Sequence, residues 1–379
     1  MPATQLRQNE LKEAKRLVVK VGSALVTKRT DAGPGVDVPA INRLMGQVVA
    51  LIEGGREVVL VCSGAVAAGC AELGLRRRPT DLAELQAVAA IGQRKLMALL
   101  HSAAKRKGHS AGQMLLTRGD FDDRVRFLNI RNCAAKLHEL GAVPVLNEND
   151  TVAVEELRFG DNDLLAAMMT NAIRADALIL LTSVDGLLDE NDEVIDRVDS
   201  VLDAQRHAKT DRKTSWGSGG MKTKLDAARL VTEAGELAVI APGKRKDVLL
   251  KLVNGEKIGT VFAPAARKLD SRQRWIGLTA RPAGTVSVDD GATRAMRDRG
   301  KSLLASGITE VTGRFMRGDV LLVRDARGKE LARGLTNYSA DELALIQGKR
   351  SDQFEKLLGR AGYAAVIHRD NLVLLGAKA

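Results

Sequence analysis

Three features of this 379-residue sequence predict a three-layer αβα sandwich around a mainly parallel sheet, followed by a small, mainly β domain. Short apolar runs recur without polar alternation, which is how strands buried on both faces read. Stretches of helical period lie between them, and strands alternating with helices imply right-handed crossovers. After about Arg281 this texture gives way to short β-like segments separated by Gly and charged turns.

Taken in order, the apolar runs are Leu17–Val21 (LVVKV), Val58–Cys62 (VVLVC), Ala142–Leu146 (AVPVL), Ala177–Leu181 (ALILL) and Leu237–Ile240 (LAVI). Between them, Val38–Glu53 places Ile41, Leu44, Met45, Val48 and Leu51 at helical spacing. Leu82–Lys105 does the same with Leu85, Val88, Ile91, Leu96 and Leu99, and Asp163–Ala175 and Lys222–Ala234 continue the alternation. In such sheets ligands bind beyond the carboxyl ends of the strands, where the unusual residues of this chain cluster. In the tail, Thr285–Val288, Ile308–Val311, Asp319–Val323, Glu330–Gly334 and Ala364–His368 read as strands, with short helices at Gly291–Arg299 and Ala340–Gln347. The expected organisation is an α/β domain over 1–270, a linker over 271–283 and a mainly β domain over 284–366.

Hydrophobic residues make up 45% and charged residues 28% of the chain, the balance of a globular protein rather than a disordered one. No apolar run approaches the roughly 18 residues that span a bilayer, and the opening MPATQLRQNELKEAKR is too polar for a signal peptide. Cys62, Cys70 and Cys133 form no C-x-x-C pair and read as reduced core residues of a cytoplasmic protein, not as a zinc or disulfide framework. Residues 261–379 hold 21 Lys and Arg against 13 Asp and Glu, so the tail is a basic module suited to a polyanion or simply a solvated surface. Aromatics are only 3%, which argues against base-stacking platforms.

Neither a G-x-x-x-x-G-K-[ST] loop nor a G-x-G-x-x-G after a strand is present, so any nucleotide phosphates are held another way. Lys20 lies inside an apolar strand, a costly place unless its ammonium meets an anion, or unless it snorkels from a sheet edge. Gly22 beside it lets backbone approach a phosphate closely. In VCSGAVAAG, Ser63-Gly64-Ala65 leads a strand into a helix, which either faces an oxyanion with hydroxyl and N–H groups or is a plain cap. NEND (Asn147–Asp150) and GDND (Gly160–Asp163) crowd acidic and amide side chains into two short loops. Like charges so packed repel unless a cation, an ammonium or backbone donors compensate them, although turn chemistry alone favours the same residue types. In WGSGGMKTKLDAA (Trp216–Ala228), Lys222 and Lys224 open a helix, against the sense of its dipole, which points to an anion there. Thr182-Ser183, with Asp185-Gly186, follows ALILL and either carries a nucleotide's base or ribose or ends the strand. The clusters Arg76–Arg78 and Lys105–Lys107 read as solvated helix ends.

In this order VVKVGS, VCSGAVAAGC, GQMLLTRGDFDDRVRFLN, VPVLNENDTV, FGDND and GSGGMKTK resemble the glutamate 5-kinases of the amino-acid-kinase family, over nearly the whole chain. The tail, from GTVSVDDGA through GITEVTGRFMRGDVLLV, resembles a PUA domain. The resemblance implies the amino-acid-kinase fold and transfer of the ATP γ-phosphoryl group to the side-chain carboxylate of L-glutamate, the first step of proline synthesis. By that likeness Lys20 and Lys224 stabilise the moving phosphoryl group, and Asp163 orients the two lysines. Ser63, Asn147, Asp150 and Asn162 bind glutamate, with Asp150 facing its ammonium. ATP is contacted by Lys20, Thr182, Ser183 and the loop Ser218, Gly219, Gly220, Met221, Lys222, Thr223 and Lys224, with Mg²⁺ bridging its phosphates and no metal ligand assigned to the protein. Feedback inhibition by proline, a homo-oligomer and RNA binding by the PUA module complete what the resemblance implies. Ser183 stands where the family usually has Asp, and Cys62 where a hydroxyl residue is commoner.

Two other readings compete. One is an RNA-binding protein acting through its basic tail, which the anion-directed motifs of the large domain and the scarcity of aromatics oppose. The other keeps the kinase and changes its acceptor to N-acetylglutamate, aspartate or carbamate. A carboxylate at Asp150 facing an α-amine favours free glutamate over an N-acylated acceptor.

Overall fold

A computed structural model of the chain describes residues 11–31, 33–153, 162–207, 220–266 and 268–375. The chain divides into two compact units, Met1–Lys268 and Leu269–Ala379. The first is built on an eight-stranded sheet in the order β5-β6-β4-β1-β7-β9-β10-β8. These strands are β1 (Arg16–Val21), β4 (Glu57–Cys62), β5 (Ser110–Leu116), β6 (Ala142–Glu148), β7 (Ala177–Thr182), β8 (Arg197–Val198), β9 (Leu237–Pro242) and β10 (Thr260–Phe262). Pairing is parallel from β5 through β9, and β10 turns antiparallel to β9. A small hairpin, β2 (Thr27–Thr30) with β3 (Gly33–Val36), stands apart from this sheet.

Helices cover both faces, as strands without polar alternation require. Leu17, Val19 and Val21 of β1 pack in one core with Ile41 and Met45 of α1 (Val38–Glu53). Leu96 and Leu100 of α3 (Leu82–Lys105) and Val248 and Leu249 of α9 (Val248–Val253) complete that layer. The other face meets α5 (Arg124–Glu139), α6 (Asn162–Ile173) and α8 (Met221–Thr232). Successive strand residues point to opposite faces, so Lys20, between Val19 and Val21, projects toward α6 and α8. The helices begin as their sequences dictate: Asp37 caps α1 through Ala40 N at 2.9 Å, and Asp81 caps α3 through Glu84 N at 3.0 Å. This unit also holds α2 (Ala65–Glu72), α4 (Arg118–Asp122), α7 (Val201–His207) and a single helical turn at Ser23–Val26. No helix among the described residues is long and apolar enough to cross a membrane.

The second unit carries a five-stranded sheet in the order β12-β11-β13-β14-β15. Its strands are β11 (Gly284–Val288), β12 (Ile308–Gly313), β13 (Val320–Arg324), β14 (Glu330–Thr336) and β15 (Ile367–Leu374). Only β11 and β13 run parallel. Helices α11 (Asp290–Arg299), α12 (Ala340–Ile346) and α13 (Phe354–Leu358) cover its core, in which Val286, Leu321, Tyr338, Ile346 and Phe354 pack together.

Two expectations are corrected here. The stretch 271–283 is not a free linker. Helix α10 (Ser271–Arg274) continues into a π-helical turn, Trp275–Thr279, whose Trp275 and Ile276 are buried with Arg274. This segment packs on β14 and β15: a Cβ added at Gly277 would come within 2.7 Å of Val373 Cγ1. Its charged composition hid an apolar anchor. The strand expected at Ala364–His368 is displaced to Ile367–Leu374, so this sheet extends beyond residue 366.

Candidate active site

The carboxyl ends of β6, β4, β1, β7 and β9 lie side by side in that order, with β1 in the middle. Lys20 therefore stands between two half-sites. One is formed after β4 and β6, the other after β7 and β9.

Lys20 Nζ lies 2.6 Å from Asp163 Oδ1, and Lys224 Nζ lies 3.1 Å from Asp163 Oδ2. Thr223 Oγ1 donates to the same Oδ2 at 2.9 Å, its single proton shared with Gly220 O. Asp163 is wholly buried, and Lys20 and Lys224 are 4% and 7% exposed. The residues come from three distant places: the end of β1, the first turn of α6 and the first turn of α8. Burial alone would raise the Asp163 carboxyl, but the two ammonium groups outweigh it and hold the group far below the usual carboxylate range. Taking ionised groups out of water costs several kcal/mol each. Two ammonium groups thus share the one Asp163 carboxylate. Gly22 keeps the approach open: a Cβ there would sit 3.9 Å from Lys20 Nζ.

On the β4 and β6 side the structure brings Ser63, Asn147 and Asn162 together. Asn162 Nδ2 donates to Ser63 Oγ at 2.8 Å and to Asn147 Oδ1 at 3.0 Å, and Asn147 Nδ2 donates to Gln93 Oε1 at 2.6 Å. Ser63 is not a helix cap. Gly64, at φ 126°, holds that position in α2 without a side-chain bond. Asn162 Oδ1 is buried with no hydrogen-bond partner among the described residues, an acceptor left for an incoming donor. Asp150 stands in the turn after β6. Burial pushes its carboxyl up to about 6, against the pull of the Arg78 guanidinium. Asn149 serves the turn itself, accepting from Thr151 Oγ1 at 2.6 Å.

On the other side a cleft of about 570 Å³ opens at the ends of β7 and β9, within the usual size for a cofactor-sized ligand. Thr182, Ser183 and Asp185 line it after β7, and Pro242, Lys244 and Arg245 line it at β9, with Lys257 adding a third cation. Thr182 is buried and Ser183 exposed. Gly220 precedes α8 without a side-chain cap, Met221 is half-buried and Lys222 is exposed. Ser218 and Gly219 lie outside the described residues, as do Gly160 and Asp161. Among the described residues no group of His, Cys, Asp and Glu could hold a metal ion.

Two residues escaped the sequence-based reading. Arg78 is half-buried rather than solvated, and its charge is felt at Asp150. Gln93 sits on α3 in a run that reads only as amphipathic helix. Neither carries a local signal, because each acts on a residue far along the chain.

The chain matches the amino acid kinase family over residues 15–241 and the PUA domain over residues 284–358. The glutamate 5-kinase of Methylococcus capsulatus is 44% identical over 373 residues, spanning 97% of this chain and 99% of that one. That of Variovorax paradoxus is 45% identical over 374 residues, spanning 96% and 97%. With such identity along nearly the full length of both relatives, and with both domains in this order, the chain belongs to the glutamate 5-kinases of the amino acid kinase family.

Proposed function

We propose that the protein transfers the γ-phosphoryl group of ATP to the side-chain carboxylate of L-glutamate, giving L-glutamyl 5-phosphate and ADP. The observation that carries this is the buried cluster of Lys20, Asp163 and Lys224 standing between the Ser63, Asn147 and Asn162 side chains and a nucleotide-sized cleft.

The amide side takes the amino acid. Asp150 and the free Asn162 Oδ1 are acceptors for the α-ammonium, and Ser63 and Asn147 fix the frame around them. Thr182 and Ser183, with the first turn of α8 from Gly220 to Thr223, take the nucleotide. A glutamate side-chain oxygen forms a bond to the γ-phosphorus as the bond from that phosphorus to the β,γ-bridging oxygen breaks, and ADP leaves with the electron pair. The attacking carboxylate is already ionised at neutral pH, so no general base is needed. Lys20 and Lys224 offset the negative charge spread over the moving group. Asp163 holds both ammonium groups at fixed separation without touching the substrate. When bound, Mg²⁺ supplies further neutralisation of the phosphate oxygens.

Proline as feedback inhibitor, assembly of several copies and a cytoplasmic setting belong to the same proposal and rest on the family likeness. RNA binding by the PUA domain rests on that domain and its charge. The direct test incubates the purified protein with ATP, Mg²⁺ and hydroxylamine across candidate acceptors. Hydroxamate from glutamate is the expected product. Hydroxamate from N-acetylglutamate and none from glutamate would overturn the assignment.

A further inference from the structure

Helix α3 is locked against α2 by backbone contact. A Cβ at Gly92 would fall 1.9 Å from Ala65 O and 2.2 Å from Gly69 N, and one at Gly69 would fall 1.9 Å from Val88 O. Neither helix has room to slide, so Gln93, the residue after Gly92, is held at a fixed place relative to the Ser63–Ala65 turn. Its Oε1 accepts the Asn147 amide, and Asn147 is only 3% exposed, so water does not readily replace that partner.

An amide has unlike ends, and a chain of amides therefore has a direction. From Gln93 Oε1 it runs through Asn147 Nδ2 and Oδ1 to Asn162 Nδ2, and on to Ser63 Oγ. Its last free atom is Asn162 Oδ1, an acceptor. If Gln93 presented its nitrogen instead, two N–H₂ groups would face each other at Asn147. Turning Asn147 would move that clash to Asn162, and turning Asn162 as well would put a donor where the acceptor now stands. A buried donor facing an ammonium is the wrong partner.

We infer that Gln93 is a positioning residue for substrate selectivity: its side-chain oxygen sets the polarity of the Asn147–Asn162–Ser63 chain, so that the site offers an acceptor to a free α-ammonium. The inference deepens the glutamate assignment above and rests on it. Gln93 does not touch the reacting atoms.

The test compares Gln93→Glu, whose ionised carboxylate can only accept and so keeps the direction, with Gln93→Met, which fills the space and leaves only a weakly accepting sulfur. Gln93→Met should raise KM for glutamate by at least about tenfold, the scale of one hydrogen bond to a charged group. KM for ATP should stay within about twofold, and the preference for glutamate over N-acetylglutamate should fall. Gln93→Glu should recover most of the glutamate KM. Equal loss in both variants, a parallel rise in KM for ATP, or no change in Gln93→Met would overturn the inference. Wild-type protein in the same assay separates the two failures. If wild type makes no product from glutamate, the substrate assignment falls and this inference falls with it. If wild type is active and Gln93→Met is unchanged, the inference falls alone.

Discussion

The two ends of β1 carry opposite kinds of ion pair. At the amino end Arg16 meets Glu57 at 2.5 Å, with side chains 38% and 44% exposed, and donates to Ile173 O at 2.7 Å. One charge answers one charge there, and water reaches both. At the carboxyl end Lys20 and Lys224 share Asp163 in near-complete burial. Exposed pairs contribute about 0–1 kcal/mol, whereas breaking a buried pair costs about 3–5 kcal/mol. The first arrangement is enough to tie strands together. The second gathers two cations on one carboxylate out of reach of water, an arrangement that costs far more to build than strand pairing requires.

Four substitutions sharpen this contrast. The largest effect belongs to Lys224→Ala. Its turnover should fall about a hundred- to a thousandfold, the cost of removing one transition-state donor, while calorimetric ATP binding changes far less. Equal losses would make the lysine an anchor for nucleotide only.

Next comes Asp163→Asn, which removes the carboxylate that both buried ammonium groups share. Urea unfolding should show a loss of about 3–5 kcal/mol at neutral pH. Because the folded Asp163 carboxyl sits below its unfolded value of about 3.9, its contribution is complete above that value. It is lost as pH falls toward the depressed folded value. The stability gap between wild type and Asp163→Asn should therefore narrow in acid, and a gap independent of pH would contradict the ion-pair account.

Asp150 gives a smaller effect within reach of ordinary assays. Its carboxyl is pushed up to about 6 by burial, so it loses its charge as pH falls through that value. KM for glutamate should climb below pH 6, approaching about tenfold per unit. In Asp150→Asn, KM should be high at every pH and lack this slope. The smallest effect is that of Arg16→Ala, with stability within about 1 kcal/mol of wild type and kinetics unchanged.

What the sequence disclosed, and what it hid, follows the range of the interactions. The central strands were legible because a strand covered on both faces must be apolar throughout, and Lys20 stood out as the exception within one. Asp163 was legible as an acid opening a helix of otherwise buried residues. Strand β5 (SAGQMLL) was not, since its edge position leaves most of its side chains partly exposed and its pattern without period. Strands β8 and β10, of two and three residues, are too short to leave one. The motifs brought Asn147, Asn162 and Ser63 to attention singly. The bond from Asn147 to Gln93 spans 54 residues of chain and comes only from the seating of α3 on α2. The buried segment at Trp275–Thr279 was hidden by its basic neighbours Arg272, Arg274 and Arg281.

The most direct test is a crystal structure with a non-hydrolysable ATP analogue, Mg²⁺ and glutamate. The account predicts Lys20 Nζ and Lys224 Nζ both within hydrogen-bonding reach of the terminal phosphate, Asp163 still between them, and the amino acid's side-chain carboxylate opposite. Either lysine turned to solvent, or glutamate bound away from Asn162, would contradict it.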